Sequence, residues 1–374
     1  MFADFNGARY CTPTTSGTMA LTIALLAVGV RYGDEVIVPG LTWVACATAV
    51  ASIGARPILA DIDHETLCVS VDAIAALIGP RTKAVIIVHS ICQIAEVEEI
   101  LAVPRDHGIP VIEDCSQAHG ARLNDRRVGT FGTVGVFSFQ HSKVLTSGEG
   151  GAIITDDPEV YERTEQHRAD GRIFSPVKKM NHLELEERGD VLGQNYCLSE
   201  FQSAVLIDRL GHLDDENALR RANANRLTAE LELLPGVTCL KPKEAWEETY
   251  YNYVLRLDSD LLKGSALSAF GTALSAELNI QITPIYRPLN SHRLYNPYVS
   301  ARVDSADLTD NTWHPTRYPL PCAELANNQC LAMPHPPLLA DPLDIETIVL
   351  ATEKVIRYSG DLKRYSAANP NAAF

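Results

Sequence analysis

The sequence lacks the features that mark several large classes of protein. No apolar run in its 374 residues approaches the roughly 18–20 residues that a membrane-spanning helix needs. Basic residues are in the minority, with 32 lysines and arginines against 47 aspartates and glutamates and a formal net charge of −15. A surface this acidic repels nucleic acids and anionic lipids. The sequence therefore predicts neither a membrane protein nor a nucleic-acid-binding protein.

The cysteines and the short motifs exclude further classes. The nine cysteines are an odd number without a Cys-x-x-Cys pair, which argues against a disulfide scaffold and favours free thiols in the cytoplasm. The first seven residues also lack the pattern of a secretory signal. His89 and Cys92 lack two further zinc ligands, and segment 61–64 is better interpreted as a polar turn, so no metal is predicted. No Gly-x-Gly-x-x-Gly follows a predicted strand, which leaves nicotinamide binding without support.

The sequence does contain a regular alternation of strands and helices in its first half. Apolar, β-branched runs predict strands at residues 36–39, 57–60, 84–88, 110–114, 135–138 and 152–155. Helical spacing predicts helices at 17–29, 43–55, 71–78, 95–107 and 158–170. This alternation indicates an α/β fold, with a mostly parallel sheet flanked by helices.

The pattern changes in the second half of the chain. The charged segment 171–192 is typical of a loop or flap, and helical spacing predicts one connecting helix over 198–234. A strand at 251–257 and helices at 265–278 and 341–358 follow. We therefore predict a large α/β domain at 1–235, a smaller C-terminal α+β domain at 236–365 and a frayed tail at 366–374.

Two motifs could bind charged groups at the ends of these elements, where ligands bind in open α/β sheets. Segment 14–18 places hydroxyls and Gly17 at the start of an apolar helix, where free N–H groups attract an anion. An ordinary Ser/Thr helix cap is the alternative. Asp114 ends an apolar strand, and a buried carboxylate there needs a cationic partner or several donors. Capping of the next turn is the alternative for Asp114.

Two further residues could carry or hold a reactive group. Lys143 follows a predicted buried strand and is flanked by hydroxyls and glycines, and a lysine removed from water becomes a nucleophile towards carbonyls. A solvated surface charge is the alternative. Trp43 follows another strand and could stack on a planar ring, or it could be a core aromatic. Pyridoxal 5'-phosphate requires this combination: donors for its phosphate, a carboxylate for its ring nitrogen, an aromatic side chain against its ring and a lysine for its aldehyde.

The motifs also resemble a known family. Residues 15–21, 33–39, 113–120 and 137–151 look like the corresponding segments of the DegT/DnrJ/EryC1/StrS sugar aminotransferases. That resemblance implies the type I aminotransferase fold and the cofactor pyridoxal 5'-phosphate. It also implies that Lys143 forms the Schiff base and moves the proton, while Asp114 pairs with the pyridinium nitrogen.

The resemblance assigns further residues and a partner. Gln117 would contact the ring near its hydroxyl, and Trp43 would stack on the ring. Gly17, Thr18 and Ser138 would hold the phosphate, and Asn195 would reach the phosphate of a partner subunit. A homodimer with shared active sites is therefore expected. Candidate contacts to the substrate are the side chains of His119, Tyr286, Asn290 and His335. For His335, a structural proline-rich turn is the better-supported alternative.

Within the family, segments 168–172, 195–202 and 286–297 look most like the scyllo-inosose and 2-deoxy-scyllo-inosose aminotransferases. These transfer an amino group, usually from L-glutamine, to a keto-cyclitol in aminocyclitol antibiotic biosynthesis. The alternatives are an enzyme acting on a C7-cyclitol ketone, a 3-amino-5-hydroxybenzoate synthase, a nucleotide keto-sugar aminotransferase and a non-catalytic, regulatory homologue. A sugar dehydratase ranks low, because such relatives carry histidine in place of Lys143.

Overall fold

The computed structural model describes residues 1–174, 185–262, 267–299 and 314–368. The strands of the first half are β1 (Tyr10–Thr14), β2 (Glu35–Pro39), β3 (Arg56–Ala60), β4 (Thr82–Val88), β5 (Val111–Asp114), β6 (Arg122–Leu123), β7 (Arg126–Arg127), β8 (Val134–Ser138) and β9 (Gly151–Thr155). Seven of them form the central sheet in the order β1-β9-β8-β5-β4-β2-β3. Pairing is parallel from β8 through β3, and β9 runs antiparallel to both β8 and β1. The predicted α/β fold with a mostly parallel sheet is confirmed.

Helices cover both faces of this sheet. They are α1 (Phe2–Asn6), α2 (Gly17–Ala27), α3 (Ala45–Ser52), α4 (Val71–Leu77), α5 (Val97–Arg105) and α6 (Pro158–Arg168). Successive residues of a strand point to opposite faces, and in β4 Ile86 belongs to one buried cluster while Val85 and Ile87 belong to another. Two-sided burial explains why the strands are continuous apolar runs rather than alternating ones.

The predicted connecting helix over 198–234 is wrong as one element, because the chain forms two helices. They are α7 (Glu200–Leu210) and α8 (Leu213–Leu231). Gly211 separates them, and glycine has a low helix propensity. Asp214, Asp215 and Glu216 occupy the first turn of α8, where acidic side chains stabilise a new helix start. The side chains of Ser199 and Gln202 form a capping box at the start of α7.

The predicted flap contains a short antiparallel ribbon of β10 (Arg172–Phe174) and β11 (Leu185–Glu187). The later strands are β12 (Val237–Cys239), β13 (Trp246–Glu247), β14 (Asn252–Leu257), β15 (Thr283–Pro284) and β16 (Cys330–Pro334). Four of them form a second sheet in the order β12-β14-β16-β15, while β13 pairs with β6.

The helices around the second sheet are α9 (Ser259–Leu262), α10 (Leu267–Leu278), α11 (Pro321–Gln329), α12 (Pro342–Arg357) and α13 (Ser359–Ala368). The predicted frayed tail is thus helical through Ala368, and its remainder, residues 369–374, lies outside the described residues. Within the described ranges, no helix has both the length and the apolar character needed to cross a membrane.

Candidate active site

A cavity of about 320 Å³ opens at the carboxyl ends of the central strands. It brings together eight of the predicted site residues: Gly17, Thr18, Trp43, Asp114, Gln117, Ser138, Lys143 and Tyr286. Asp114 and Ser138 are the last residues of β5 and β8, and Gly17 begins α2. These residues lie close together because the carboxyl ends of parallel strands are at the same edge of the sheet.

The amino-terminal turn of α2 forms one end of the cavity. The Ser16 hydroxyl accepts a hydrogen bond from Met19 N at 3.2 Å, which caps the helix. A Cβ atom on Gly17 would lie 2.6 Å from the Ser138 Cβ, so no larger residue fits beside that side chain. The first N–H groups of a helix have no partner within it. These groups and the neighbouring Ser138 hydroxyl fit a phosphate.

Asp114 is a buried carboxylate that faces the cavity, and its side chain is hydrogen-bonded at both oxygens. Oδ1 accepts from Ser116 N at 3.0 Å, and Oδ2 accepts from the Cys46 thiol at 3.3 Å. In the part of the chain that the structure describes, no cationic side chain forms a salt bridge with it. A buried charge without a counter-charge is costly, so Asp114 fits a cationic ring nitrogen.

Lys143 lies in the loop after β8, half-buried at the cavity wall. Its Nζ is 4.2 Å from the centre of the Tyr251 ring, a distance typical of a cation–π contact. The Tyr251 hydroxyl is in turn 3.1 Å from the Ser142 hydroxyl. Among the described residues no carboxylate forms a salt bridge with Lys143, so its amine fits a reaction partner entering the cavity.

Trp43, Gln117 and Tyr286 line the remaining side of the cavity. Gln117 Oε1 accepts from Ile91 N at 2.7 Å, and its Nε2 donates to the Tyr286 hydroxyl at 3.3 Å. Burial, and then the nearby Tyr251, raise the pKa of the Tyr286 phenol, which therefore stays protonated. The Trp43 ring is 49% exposed and lies 6.2 Å from the Tyr286 ring, tilted by 54°.

Two predicted histidines lie outside the residues that line this cavity. His119 is buried behind β8, where its Nε2 donates to the Ser138 carbonyl at 2.9 Å. Burial, and then Lys143, lower the pKa of His119 to about 3. The His335 ring lies 6.4 Å from that of Tyr251, and burial and Arg220 lower the pKa of His335 to about 4. Both rings are neutral near pH 7 and support loops around Lys143.

The two predicted asparagines also lie outside the cavity of this single chain. Asn290 is buried, and its Nδ2 donates to the Tyr318 carbonyl at 3.1 Å and to Glu324 at 3.3 Å. The 3₁₀ turn Leu289–Ser291 directs its amide to those groups, so Asn290 ties two loops together. Asn195 is exposed, and its Oδ1 accepts from Cys197 N at 3.3 Å. Its role towards a partner subunit stays a prediction.

The sequence analysis missed several residues that line the cavity: Ser16, Thr42, Ser116, Gln140, Ser142, Glu149 and Tyr251. Tyr251 is the most informative of them, because it meets Lys143 from a distant part of the chain. No local signal identifies Tyr251, since its segment has the pattern of an ordinary strand. Ser116 and Ser142, by contrast, belong to motifs that already contain Asp114 and Lys143.

A second buried polar cluster beneath the cavity joins His89, Glu113 and Cys115 within 4.8 Å. The Glu113 carboxylate accepts from Gly129 N at 2.8 Å, from Gly132 N at 2.6 Å and from His89 Nε2 at 3.0 Å. His89 Nδ1 accepts from Ala95 N at 3.1 Å. The His89 nitrogens and the Glu113 oxygens that could hold a metal already form these hydrogen bonds. The cluster therefore stabilises the structure next to Asp114.

Comparison with known proteins gives a consistent set of similarities. Residues 1–340 match the model of the DegT/DnrJ/EryC1/StrS aminotransferase family. The chain is 44% identical over 366 residues to the L-glutamine:2-deoxy-scyllo-inosose aminotransferase of Streptoalloteichus tenebrarius, covering 97% of this chain and 86% of that one. It is also 44% identical to the L-glutamine:scyllo-inosose aminotransferase of Streptomyces griseus, covering 95% and 84%.

Solved structures resemble the whole fold. The crystal structure of 3-amino-5-hydroxybenzoic acid synthase superposes with a TM-score of 0.80 at 26% identity, covering 95% of this chain and 88% of that chain. DesV of S. venezuelae, in complex with a ketimine intermediate, superposes with a TM-score of 0.79 at 28% identity, covering 95% and 87%.

Proposed function

The chain belongs to the DegT/DnrJ/EryC1/StrS aminotransferase family and is an aminotransferase, and we propose that it uses pyridoxal 5'-phosphate to move the amino group of L-glutamine onto the ketone of a cyclitol. The acceptor is scyllo-inosose or 2-deoxy-scyllo-inosose, as named for its 44%-identical relatives. The reaction serves the biosynthesis of aminocyclitol antibiotics. One observation carries the proposal: a single cavity holds the helix start at Gly17, the carboxylate of Asp114 and the amine of Lys143.

The residues fit the cofactor group by group. The first N–H groups of α2 and the Ser138 hydroxyl would hold the phosphate, and Asp114 would hold the ring nitrogen and keep it protonated. Trp43 would lie against the ring, and Gln117 would lie near the ring hydroxyl. Pyridoxal 5'-phosphate, when bound, supplies an aldehyde for amines and a ring that accepts the electrons left when an amino acid loses its α-proton.

Lys143 moves the proton at its Nζ. With the cofactor bound, the Lys143 amine would hold its aldehyde, and Nζ would be the group that accepts the α-proton of the donor and returns a proton to the acceptor. The Tyr251 ring stabilises the ammonium that forms when Nζ is protonated, because the ring face attracts a cation. Ser142 holds the Tyr251 hydroxyl and so fixes that ring.

The polarity of the cavity suits a cyclitol. Hydroxyl, amide and carboxylate side chains line it beyond the cofactor-binding residues, namely Ser116, Gln140, Ser142 and Glu149. A cyclitol presents a hydroxyl on nearly every carbon, and each one that leaves water needs a hydrogen-bonding partner. Polar walls therefore favour a polyol ketone over an apolar one.

The proposal is tested by following the two half-reactions in the visible spectrum of the protein loaded with pyridoxal 5'-phosphate. We expect a visible band that bleaches with L-glutamine and returns with scyllo-inosose or 2-deoxy-scyllo-inosose. A band that returns only with a nucleotide keto-sugar would refute the cyclitol acceptor. A folded protein that shows no band would refute the cofactor and favour a non-catalytic homologue.

The proposed active enzyme is a homodimer, and an exposed apolar face supports this. Helix α7 has no buried residue, although it carries Phe201, Val205 and Ile207 with exposed fractions of 87%, 48% and 52%. Leu192 is 95% exposed on the segment that leads to α7. Large apolar patches on a protein surface mark interaction sites. Asn195 lies in the same segment, so a second copy on this face would receive its side chain.

We expect the Phe201→Glu substitution to convert the dimer into a monomer. A charge at the centre of an apolar interface must lose its hydration without gaining a partner, and this weakens association by roughly two orders of magnitude or more. Sedimentation velocity at micromolar concentration measures the change. Leu343→Glu is the matched control, because Leu343 is 75% exposed on α12. A Phe201→Glu protein that sediments like the wild type would contradict this interface.

A further inference from the structure

The thiol of Cys46 contacts the carboxylate on which the proposed cofactor site depends. Cys46 lies in the first turn of α3, and its side chain is fully buried. Its Sγ is 3.3 Å from Asp114 Oδ2, within the range of a hydrogen bond from sulfur. The two residues are 68 positions apart in the chain, so the contact joins the helix after β2 to the end of β5.

The direction of this hydrogen bond is fixed by the chemistry of the two groups. An ionised carboxylate can only accept, so the thiol must donate. Burial, and then the charge of Asp114, raise the pKa of the Cys46 thiol well above its ordinary value, so the proton stays on sulfur. The Thr42 hydroxyl is 3.7 Å from the same Sγ. With the thiol proton directed to Asp114, that hydroxyl is the donor to sulfur.

The thiol completes the orientation of the carboxylate. Ser116 N binds Oδ1, and Cys46 binds Oδ2, so the two donors together fix the plane of the group. A carboxylate has about four lone-pair sites, and each oxygen therefore keeps a site for a further donor. Because Asp114 lines the cavity, a remaining site would be open to the proposed ring nitrogen.

We propose that Cys46 is a positioning residue, whose thiol proton holds Asp114 in the orientation that binds the protonated ring nitrogen of the cofactor. The inference rests on the proposed function, because it assigns Cys46 a role through Asp114. The competing explanation is that Cys46 only fills space in the core. If Cys46 positions Asp114, its replacement must keep a hydrogen-bond donor. If Cys46 only fills space, its replacement must keep the side-chain volume.

Serine and valine separate these explanations. Serine keeps a donor and is smaller, whereas valine is close to cysteine in volume and has no donor. We expect Cys46→Ser to bind pyridoxal 5'-phosphate within about threefold of the wild type, and Cys46→Val to bind it roughly three- to tenfold more weakly. Equilibrium dialysis of the apo-protein measures the dissociation constant without any turnover. Cys330→Ala, which removes a fully buried thiol from β16, is the control and should bind like the wild type.

Each outcome decides between the explanations. The positioning role requires Cys46→Val to bind the cofactor more weakly than Cys46→Ser. Equal binding by the two variants, or weaker binding by Cys46→Ser, would overturn that role and leave only packing. A wild-type protein that fails to bind the cofactor would instead refute the proposed function, and the inference with it. Thermal unfolding by circular dichroism identifies any variant that does not fold.

A second measurement follows the S–H stretch of the Cys46 thiol itself, in proteins that keep Cys46. The infrared S–H stretch of a thiol moves to lower frequency when the thiol donates a hydrogen bond. The buried S–H band of Cys46 is assigned by its absence from the Cys46→Ser variant. We expect this band to move to higher frequency in Asp114→Ala. An unchanged band would show that the thiol does not donate to Asp114 and would overturn the inference.

Discussion

The Lys143→Ala variant is expected to lose transamination almost completely, with turnover reduced roughly 10³- to 10⁴-fold. In the proposed function, the substitution removes both the amine that would hold the cofactor aldehyde and the base that would move the α-proton of the donor. No other lysine lines the cavity within the described part of the chain, so none there can replace it. Steady-state rates with L-glutamine and scyllo-inosose measure the loss.

Two comparisons make this expectation specific. Lys83→Ala removes an exposed lysine from β4 and should leave the rate unchanged. A small primary amine in solution should restore part of the activity of Lys143→Ala, because it can accept the proton that Nζ would take. A Lys143→Ala enzyme that keeps more than about a tenth of the wild-type rate would show that another group carries the proton.

The Asp114→Asn variant is expected to lose roughly 10²- to 10⁴-fold in kcat/KM, the usual cost of breaking a buried charge pair. Asparagine has nearly the same shape but would not hold a proton on the ring nitrogen of the proposed cofactor, so the ring would accept electrons poorly. The Asp114 carboxylate has no described cationic partner in this chain. Neutralising it should therefore not lower the melting temperature of the apo-protein.

Measuring activity and stability together separates the role of Asp114 from simple damage. Asp156→Asn is the control, because Asp156 is an exposed carboxylate that accepts from Arg9 N at 2.8 Å on the surface. We expect that control to keep its kcat/KM. If Asp114→Asn retained wild-type kcat/KM, the assignment of the ring nitrogen to this carboxylate would be wrong. A lower melting temperature would instead show that Asp114 mainly stabilises the fold.

The sequence predicts the central sheet well because its strands are buried on both faces. A run such as residues 84–88 is apolar at every position, a pattern typical of a short strand in a parallel sheet. The break between α7 and α8 was not predicted because the apolar spacing continues across Gly211. On α7 only Leu206 and Leu210 pack at the edge of a core cluster of this chain, while Phe201 and Val205 are exposed.

The site is predictable where one motif carries both the structure and the chemistry. Asp114, Ser138 and Gly17 lie at the ends of recognisable elements, and the topology brings those ends together. Tyr251 and Cys46 reach the site through contacts between segments far apart in the chain, which no local pattern reports. Asn290 was predicted as a substrate contact from its motif, but its amide instead forms hydrogen bonds with Tyr318 and Glu324 outside the cavity.

The close approach of Gly17 and Ser138 also limits how this enzyme can evolve. A Cβ atom at position 17 would lie 2.6 Å from the Ser138 Cβ and 3.1 Å from its Cα, so trimming residue 138 to glycine would remove the overlap and leave a tight backbone contact. A substitution at position 17 alone therefore overlaps the Ser138 side chain, and the two positions are energetically coupled. In the proposed anion site, a change of residue 138 therefore comes before any change of residue 17.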